Sequence, residues 1–154
     1  MNIKRRQSIK TGSSLALIAA AISAGILPTS AFADWNKAAF EAKNMADFLK
    51  AMGGSTAEKS ADIVITAPDI AENGAVVPVA VASKIANTQS ISILVEKNPS
   101  SLAADFEILS GTEANVGTRV KMGQSSNVHA VVKAGGKYYV ATKEVKVTLG
   151  GCGG

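Results

Sequence analysis

The sequence predicts a mainly β protein, a sandwich or barrel of seven or eight short strands preceded by one helix. Two observations carry this prediction. After residue 60, short runs of β-branched residues recur at intervals of about ten residues and are separated by turn residues. Before that point, apolar residues between 34 and 52 recur every three or four positions, which is the period of a helix.

The predicted helix spans residues 34–52 and ends at Gly53 and Gly54. Trp35 and Phe40 are interpreted as packing anchors on its apolar stripe. The turns Asn73-Gly74 and Gly135-Gly136 divide the strand region, the second as a tight hairpin. The predicted strands are 62–66, 75–83, a run that includes 91–95, 104–109, 118–122, 128–134 and 137–149.

Residues 1–33 are predicted to be an export signal that is cleaved and takes no part in the fold. A charged head precedes the uncharged apolar stretch 15–27, and small residues at Ala31 and Ala33 predict cleavage before Asp34. About 13 apolar residues are too few for a permanent membrane span. The charged head consists of Lys4, Arg5, Arg6 and Lys10.

The arginine pair Arg5-Arg6 is similar to the twin-arginine signal, which directs folded proteins across the bacterial inner membrane. Ser8 stands where that pattern usually has a large aromatic residue. An ordinary secretory signal therefore remains the alternative. Either route predicts a periplasmic protein.

Cleavage changes the charge of the chain. The whole sequence has 16 Lys and Arg against 12 Asp and Glu, and four of the 16 lie in the signal. The remaining 121 residues (154 minus 33) therefore carry 12 charges of each sign, with a net charge of zero. The positive charge of the whole sequence therefore belongs to the signal and gives no support for nucleic-acid binding, and the length predicts one domain, 34–149.

A single thiol lies in a glycine segment at the C-terminus, where Gly150 and Gly151 precede Cys152 and Gly153 and Gly154 follow it. Glycine has the widest backbone freedom, so residues 150–154 are predicted to form a mobile arm that extends at most about 17 Å. A lone cysteine in an oxidising compartment forms no internal disulfide. It is either a reactive thiol or an intermolecular link.

Catalysis by this thiol is not predicted, because a catalytic cysteine needs a base or a positive group held within hydrogen-bond reach. His129 is the only histidine and has no second histidine or cysteine near it in sequence. It is assigned no role, and no metal or cofactor is predicted.

Two interface candidates emerge from the strands. Pro78 cannot donate to a strand ladder, so the run Val76 to Val81 is predicted to be an edge or bulged strand with backbone available to a partner. Tyr138 and Tyr139 are predicted to point to opposite faces of the last strand, one into the core and the other toward a partner.

The glycine-flanked Cys152 closely resembles the C-terminus of the SoxY family, sulfur carriers of the periplasmic Sox system that oxidises thiosulfate. Residues 70–81, which read IAENGAVVPVAV, resemble that family's internal signature. A twin-arginine leader is also usual there, so the similarity follows the whole chain.

This resemblance implies a non-catalytic carrier with an immunoglobulin-like sandwich, paired as a heterodimer with a second sandwich subunit, SoxZ. Cys152 would be the carrier cysteine, to which a c-type cytochrome complex joins thiosulfate oxidatively as a cysteine S-thiosulfonate. A hydrolase would then release sulfate. A sulfane dehydrogenase or another acceptor would take the remaining sulfane sulfur.

Two other classes of function stay open. The chain could be an extracellular β-sandwich binding module whose terminal cysteine forms an intermolecular disulfide between two copies. A thiol enzyme, such as a peroxidase or sulfurtransferase, ranks last because no base lies near Cys152 in sequence.

Overall fold

The computed structural model describes residues 36–148 as two β-sheets and two short helices. The described helices are α1 (Lys37–Glu41) and α2 (Met45–Ala51). The described strands are β1 (Glu58–Lys59), β2 (Ile63–Thr66), β3 (Ile70–Ala71), β4 (Val77–Ser83), β5 (Thr88–Val95), β6 (Leu102–Glu107), β7 (Asn115–Val120), β8 (Ser126–Ala134) and β9 (Lys137–Val147).

The strands form one six-stranded and one three-stranded sheet. The larger sheet has the order β1-β9-β8-β5-β6, with β3 also pairing with β9, and the smaller has the order β2-β4-β7. Strands of four or more residues pair antiparallel with one another, whereas the two-residue strands β1 and β3 run parallel to β9. The predicted mainly β, immunoglobulin-like antiparallel sandwich with a short N-terminal helix is confirmed, with seven strands of four or more residues among those described.

The main core lies between the two sheets because their strands alternate apolar and polar residues. In β4, Val77, Val79 and Val81 are buried while the residues between them are more exposed. They pack with inward residues of the larger sheet such as Ile91 and Ile93. The hydrophobic effect of this buried surface is the main force that holds the sheets together.

The two helices cover the other face of the larger sheet. Phe48 and Leu49 of α2 pack against Leu94, Val131 and Tyr138 in a second apolar cluster. Since β5 has the sandwich core on one side and the helices on the other, all of its residues from 91 to 95 are buried. This pattern is typical of a strand with both faces covered.

The prediction of one helix over 34–52 is wrong in its continuity. The chain forms two helices, because Ala42 adopts an extended conformation after α1. Asn44 then caps α2, with its side-chain oxygen accepting a hydrogen bond from the Asp47 N–H at 2.9 Å. Asparagine is a strong N-cap residue, and its side chain satisfies an N–H that a continuing helix would pair with the backbone. The predicted stop at Gly53 is confirmed by its left-handed φ of 80°.

Pro78 was predicted to mark an edge or a bulge, and the structure corrects this. Strand β4 is the central strand of the smaller sheet, and it pairs with β7 at Pro78 without a register shift. However, β2 is only four residues long and reaches no further than Ala80, so Pro78 has a strand neighbour on one side only. A residue without an N–H is tolerated there because no second ladder needs it.

The predicted tight hairpin is confirmed at Gly135 and Gly136, which have φ values of 56° and 78° and join Ala134 to Lys137. Two positive φ values in a two-residue loop match the twist of antiparallel strands. Residues 1–35 and 149–154 lie outside the described residues. They include Arg5, Arg6 and Trp35, together with Cys152 and its flanking glycines Gly150, Gly151, Gly153 and Gly154.

Candidate functional site

The described chain ends at Thr148, four positions before Cys152. The last residues of β9 are held by β3, which runs parallel to them with Ile70 opposite Lys146 and Ala71 opposite Val147. The Lys146 N–H donates to the Asp69 carbonyl at 3.0 Å, and the Thr148 N–H donates to the Ala71 carbonyl at 3.1 Å. The contact with β3 therefore forms an anchor for the end of β9, which lies five residues before Cys152 in sequence.

A serine holds the opposite edge of the same anchor. The Val147 N–H donates to the Ser125 hydroxyl oxygen at 2.9 Å. Val145, two residues earlier, is fully buried in the sandwich core. Hydrogen bonds on both sides and a buried valine resist fraying of the strand end.

The loop between β2 and β3 is fastened to β9 by one lysine. The Lys143 ammonium donates to the Ala67 carbonyl at 2.6 Å and lies 3.0 Å from the Asp69 carboxylate. This pair is partly exposed, so the charge attraction contributes little by itself. Its effect is to orient residues 67–69, which lead directly into the β3 contact.

Residues 70–81 of the sequence signature have two structural roles. Their first two residues form β3 and hold the end of β9, while Val77 to Val81 lie in the central strand of the smaller sheet. Between them, the Asn73 side-chain oxygen accepts from the Ala75 N–H at 2.9 Å, and the Gly74 carbonyl accepts from the Met122 N–H at 2.7 Å. Residues 70–81 thus connect the end of β9 to the sandwich core.

His129 lies on the helix-covered face of the larger sheet. Its Nδ1 is 2.8 Å from the Thr142 hydroxyl, and its Nε2 is 3.6 Å from the Glu96 carboxylate. Burial lowers the pKa of His129 below its ordinary value of 6.5, and the nearby Glu96 opposes that effect. No three His, Cys, Asp or Glu side chains within residues 36–148 come together as a set that could hold a metal ion.

The two tyrosines point to opposite faces, as predicted. Tyr138 is buried against the helices and its hydroxyl donates to the Met52 carbonyl at 2.6 Å. Tyr139 is half-buried and packs against the sandwich core. Sequence reasoning did not identify which residues anchor the end of β9, since Ser125 and Lys143 carry no recognisable motif.

None of the helices that residues 36–148 form is both long and apolar enough to cross a membrane. The described part of the chain is a β-sandwich. Its last strand, β9, ends five residues before the single cysteine of the sequence.

Comparison with known proteins identifies the kind of protein that carries these features. The family model described as sulfur oxidation protein SoxY matches residues 49–152, a span that includes Cys152. The solved structure of the sulfur carrier protein SoxY from Chlorobium limicola f. thiosulfatophilum is 42% identical to the chain. The match covers 65% of this chain and 93% of that one, with a TM-score of 0.58.

A chain from a structure of T cell activation by the bacterial superantigen toxic shock syndrome toxin-1 is 14% identical. That match covers 56% of this chain and 99% of the other, and its TM-score of 0.40 is too low to support an argument. The comparison with curated proteins gives no match.

The fold and the cysteine-bearing C-terminus therefore define a carrier protein of sulfur oxidation, not an enzyme. The family match covers more than half of the sequence and extends through the cysteine. The chain belongs to the SoxY family.

Proposed function

We propose that this chain holds thiosulfate-derived sulfur covalently on Cys152 and presents it to periplasmic Sox enzymes during thiosulfate oxidation. The observation that carries the proposal is the family match, whose matched residues 49–152 include Cys152. The 42% identity to a SoxY sulfur carrier supports it.

The proposed chemistry begins with a sulfur–sulfur bond between Cys152 and thiosulfate. The thiol loses one proton, and two electrons pass to a c-type cytochrome complex, which leaves a cysteine S-thiosulfonate. Water then cleaves the bond between the sulfane sulfur and the sulfonate group, so that a hydrolase releases sulfate and a persulfide stays on the cysteine. A sulfane dehydrogenase is a further proposed partner for that persulfide.

Activation of the thiol is assigned to the enzyme that receives it. The thiolate is the reactive form of a cysteine, and no base lies near Cys152 in sequence. A positive or basic group must therefore come from the receiving active site. Four residues beyond Thr148 can place the Cys152 backbone at most about 14 Å from the anchor, which is enough to enter a cleft in another protein.

The setting of this function is also proposed. Arg5 and Arg6 belong to a twin-arginine signal that brings the folded chain to the periplasm, with cleavage after Ala33. In the periplasm the chain is one half of a heterodimer with a SoxZ-type sandwich subunit. Glycines on both sides of Cys152 leave the segment only as wide as a backbone next to the sulfur.

Intact mass spectrometry tests the proposal directly. The mature heterodimer is incubated with thiosulfate and the c-type cytochrome complex, and the mass of this chain is followed with time. We expect the mass of one thiosulfonate to be added to the wild-type chain and not to the Cys152→Ser variant. Reduction with a thiol should remove the added mass, because a sulfur–sulfur bond exchanges with thiols.

Addition of the same mass to Cys152→Ser would contradict the proposal. The binding-module alternative makes a different forecast, namely a reducible homodimer that retains its ligand affinity when residues 150–154 are deleted. Finding that behaviour, with no adduct on Cys152, would replace the carrier function by an adhesive one.

A further inference from the structure

The last three described residues of the chain, 146–148, are held by hydrogen bonds from both sides. Toward β3, the N–H groups at 146 and 148 donate to the carbonyls of Asp69 and Ala71, at 3.0 and 3.1 Å. On the other side, the Val147 N–H donates to the Ser125 hydroxyl at 2.9 Å. These contacts of residues 146–148 are here called the clasp. The clasp joins the end of β9 to two segments that are distant from it in sequence.

The clasp buries little apolar surface. Ile70, the first residue of β3, is 59% exposed, and Lys146 opposite it is exposed as well. Ala71 is buried but contributes only one methyl group. The last fully buried side chain of β9 is that of Val145, one residue before the clasp. Because hydrogen bonds near the surface compete with water, the clasp is a part of β9 that can be opened without unfolding the sandwich core.

Lys143 supports the clasp from within β9. Its ammonium donates to the Ala67 carbonyl at 2.6 Å and lies 3.0 Å from the Asp69 carboxylate. Asp69 also provides the carbonyl that accepts from the Lys146 N–H, so one residue links the lysine to the clasp. Substitution of Lys143 is therefore expected to loosen the β3 side of the clasp, and substitution of Ser125 to loosen the other side.

The clasp sets an upper limit on the distance between Cys152 and the end of β9. Four residues lead from Thr148 to Cys152, and at 3.3–3.6 Å per residue they span at most about 14 Å in any arrangement. If the clasp opens, Val145 becomes the last residue held by the core. Seven residues then lead to Cys152 and span at most about 25 Å. The clasp thus shortens the greatest reach of the thiol by about 11 Å.

We propose that the clasp, with Ser125 and Lys143 as its positioning residues, fixes the reach of Cys152 and so determines which active sites the cysteine enters. This inference rests on the proposed function, because it concerns the delivery of sulfur on Cys152 to other proteins. With the clasp closed, an enzyme must dock against the end of β9 to bring its catalytic groups within reach. A short connection also keeps the effective concentration of the thiol at a docked active site high, since that concentration falls as the connection lengthens.

The first test measures reach in the absence of any enzyme. Ser125→Ala and Lys143→Met are combined in the mature chain to open the clasp. Nitroxide labels are placed on Cys152 and on Ala103→Cys, an exposed position of β6, and pulsed electron–electron double resonance gives the distribution of distances between them. We expect the distribution to broaden in the open-clasp variant, with its upper limit at least about 5 Å further out than in the chain that keeps Ser125 and Lys143.

Amide hydrogen exchange reports on the clasp itself. The N–H groups of Val147 and Thr148 should exchange at least about tenfold faster in the open-clasp variant. Ser83→Ala is the matched control, because Ser83 is half-buried like Ser125 and its hydroxyl also accepts from a backbone N–H, that of Ile85 at 3.2 Å. Ser83 is the last residue of β4 and lies outside the clasp, so its variant should keep the wild-type distances and exchange rates.

The second test asks whether reach limits delivery of the thiol. Deletion of Leu149 and Gly150 removes two residues of reach and leaves the glycines next to Cys152 in place. With the clasp intact, the deletion should slow thiosulfonate formation by the cytochrome complex at least about tenfold. In the open-clasp variant it should slow the reaction less than about threefold, because residues 146–148 replace the lost length. Reaction of Cys152 with a small disulfide reagent needs no reach, so its rate should be equal in all of these variants.

Unchanged exchange at Val147 and Thr148 in the open-clasp variant overturns the assignment of Ser125 and Lys143. Faster exchange with an unchanged distance distribution overturns the limit on reach, as does a deletion that slows delivery equally in both backgrounds. If the wild-type chain gains a thiosulfonate while the distances do not respond, the carrier function stands and the clasp proposal fails. If the distances respond but no chain gains an adduct, the carrier function fails and the limit on reach stands.

Discussion

The ring of Tyr138 lies directly against the backbone of Gly54, so that a Cβ at residue 54 would be 2.6 Å from the tyrosine Cε2. The Tyr138 hydroxyl then reaches past the glycine and donates to the Met52 carbonyl at 2.6 Å. This contact joins the end of α2 to the start of β9, the last described strand before Cys152. Because Gly54 has no side chain, the Tyr138 ring can lie against its backbone and hold the helices on the sheet.

Substitution of Gly54 tests this contact. Gly54→Ala should lower the free energy of unfolding by about 1–3 kcal/mol, because the added methyl group overlaps a buried ring that has little room to move. Urea denaturation of the mature chain measures the change. Gly123→Ala is the matched control and should leave the free energy of unfolding within about 0.5 kcal/mol of wild type, since nothing lies within 4 Å of its added Cβ. An equal effect of the two substitutions would show that the Tyr138 ring yields freely.

The pH dependence of stability should report the burial of His129. Burial lowers the pKa of this histidine below 6.5, against the opposing charge of Glu96. As the pH falls below about 6.5, the unfolded chain therefore takes up more protons than the folded chain, and the free energy of unfolding decreases. His129→Gln should flatten this decrease between about pH 7 and pH 5.5.

Urea denaturation of both proteins at a series of pH values makes that comparison. Asn127 provides a useful control, because its side chain donates to the same Glu96 oxygen at 2.7 Å but does not titrate. Asn127→Ser should therefore keep the slope of the wild-type protein. A His129→Gln variant with an unchanged slope would indicate that other groups produce the pH dependence.

The glycines beside the thiol should govern how quickly it reacts within partner enzymes. Gly151→Val and Gly153→Val should each slow thiosulfonate formation on Cys152 at least about tenfold, because a branched side chain next to the sulfur widens the segment that must enter an active site. The free energy of unfolding should change by less than about 0.5 kcal/mol, since both positions follow the last described strand, β9, in sequence. Intact mass spectrometry over time gives the rate.

Gly123→Val serves here as a control for adding a valine at an exposed glycine elsewhere in the chain. Its rate of adduct formation should equal that of wild type. If Gly151→Val and Gly153→Val form the adduct on Cys152 as fast as the wild-type chain, the partner enzymes do not require a narrow segment beside the thiol.

Much of this fold could be predicted from local patterns. Alternation of apolar residues identified β4, and Gly135-Gly136 identified the β8–β9 hairpin, because both depend on neighbouring residues alone. The spacing of apolar residues over 34–52 correctly predicted helix, but it did not predict the break between α1 and α2. Asn44 acts as a cap only because the chain turns at Ala42 to follow the sheet, and that turn depends on packing.

The sequence by itself determined the strand pattern, the family resemblance and the choice of Cys152 as the candidate carrier residue. Each of these depends only on which residues follow one another along the chain. Tertiary structure alone decided that β4 is central despite Pro78 and that β3 and Ser125 anchor the end of β9. These relationships join residues that lie far apart in the chain, so they follow from how the strands pair and not from any one stretch of sequence.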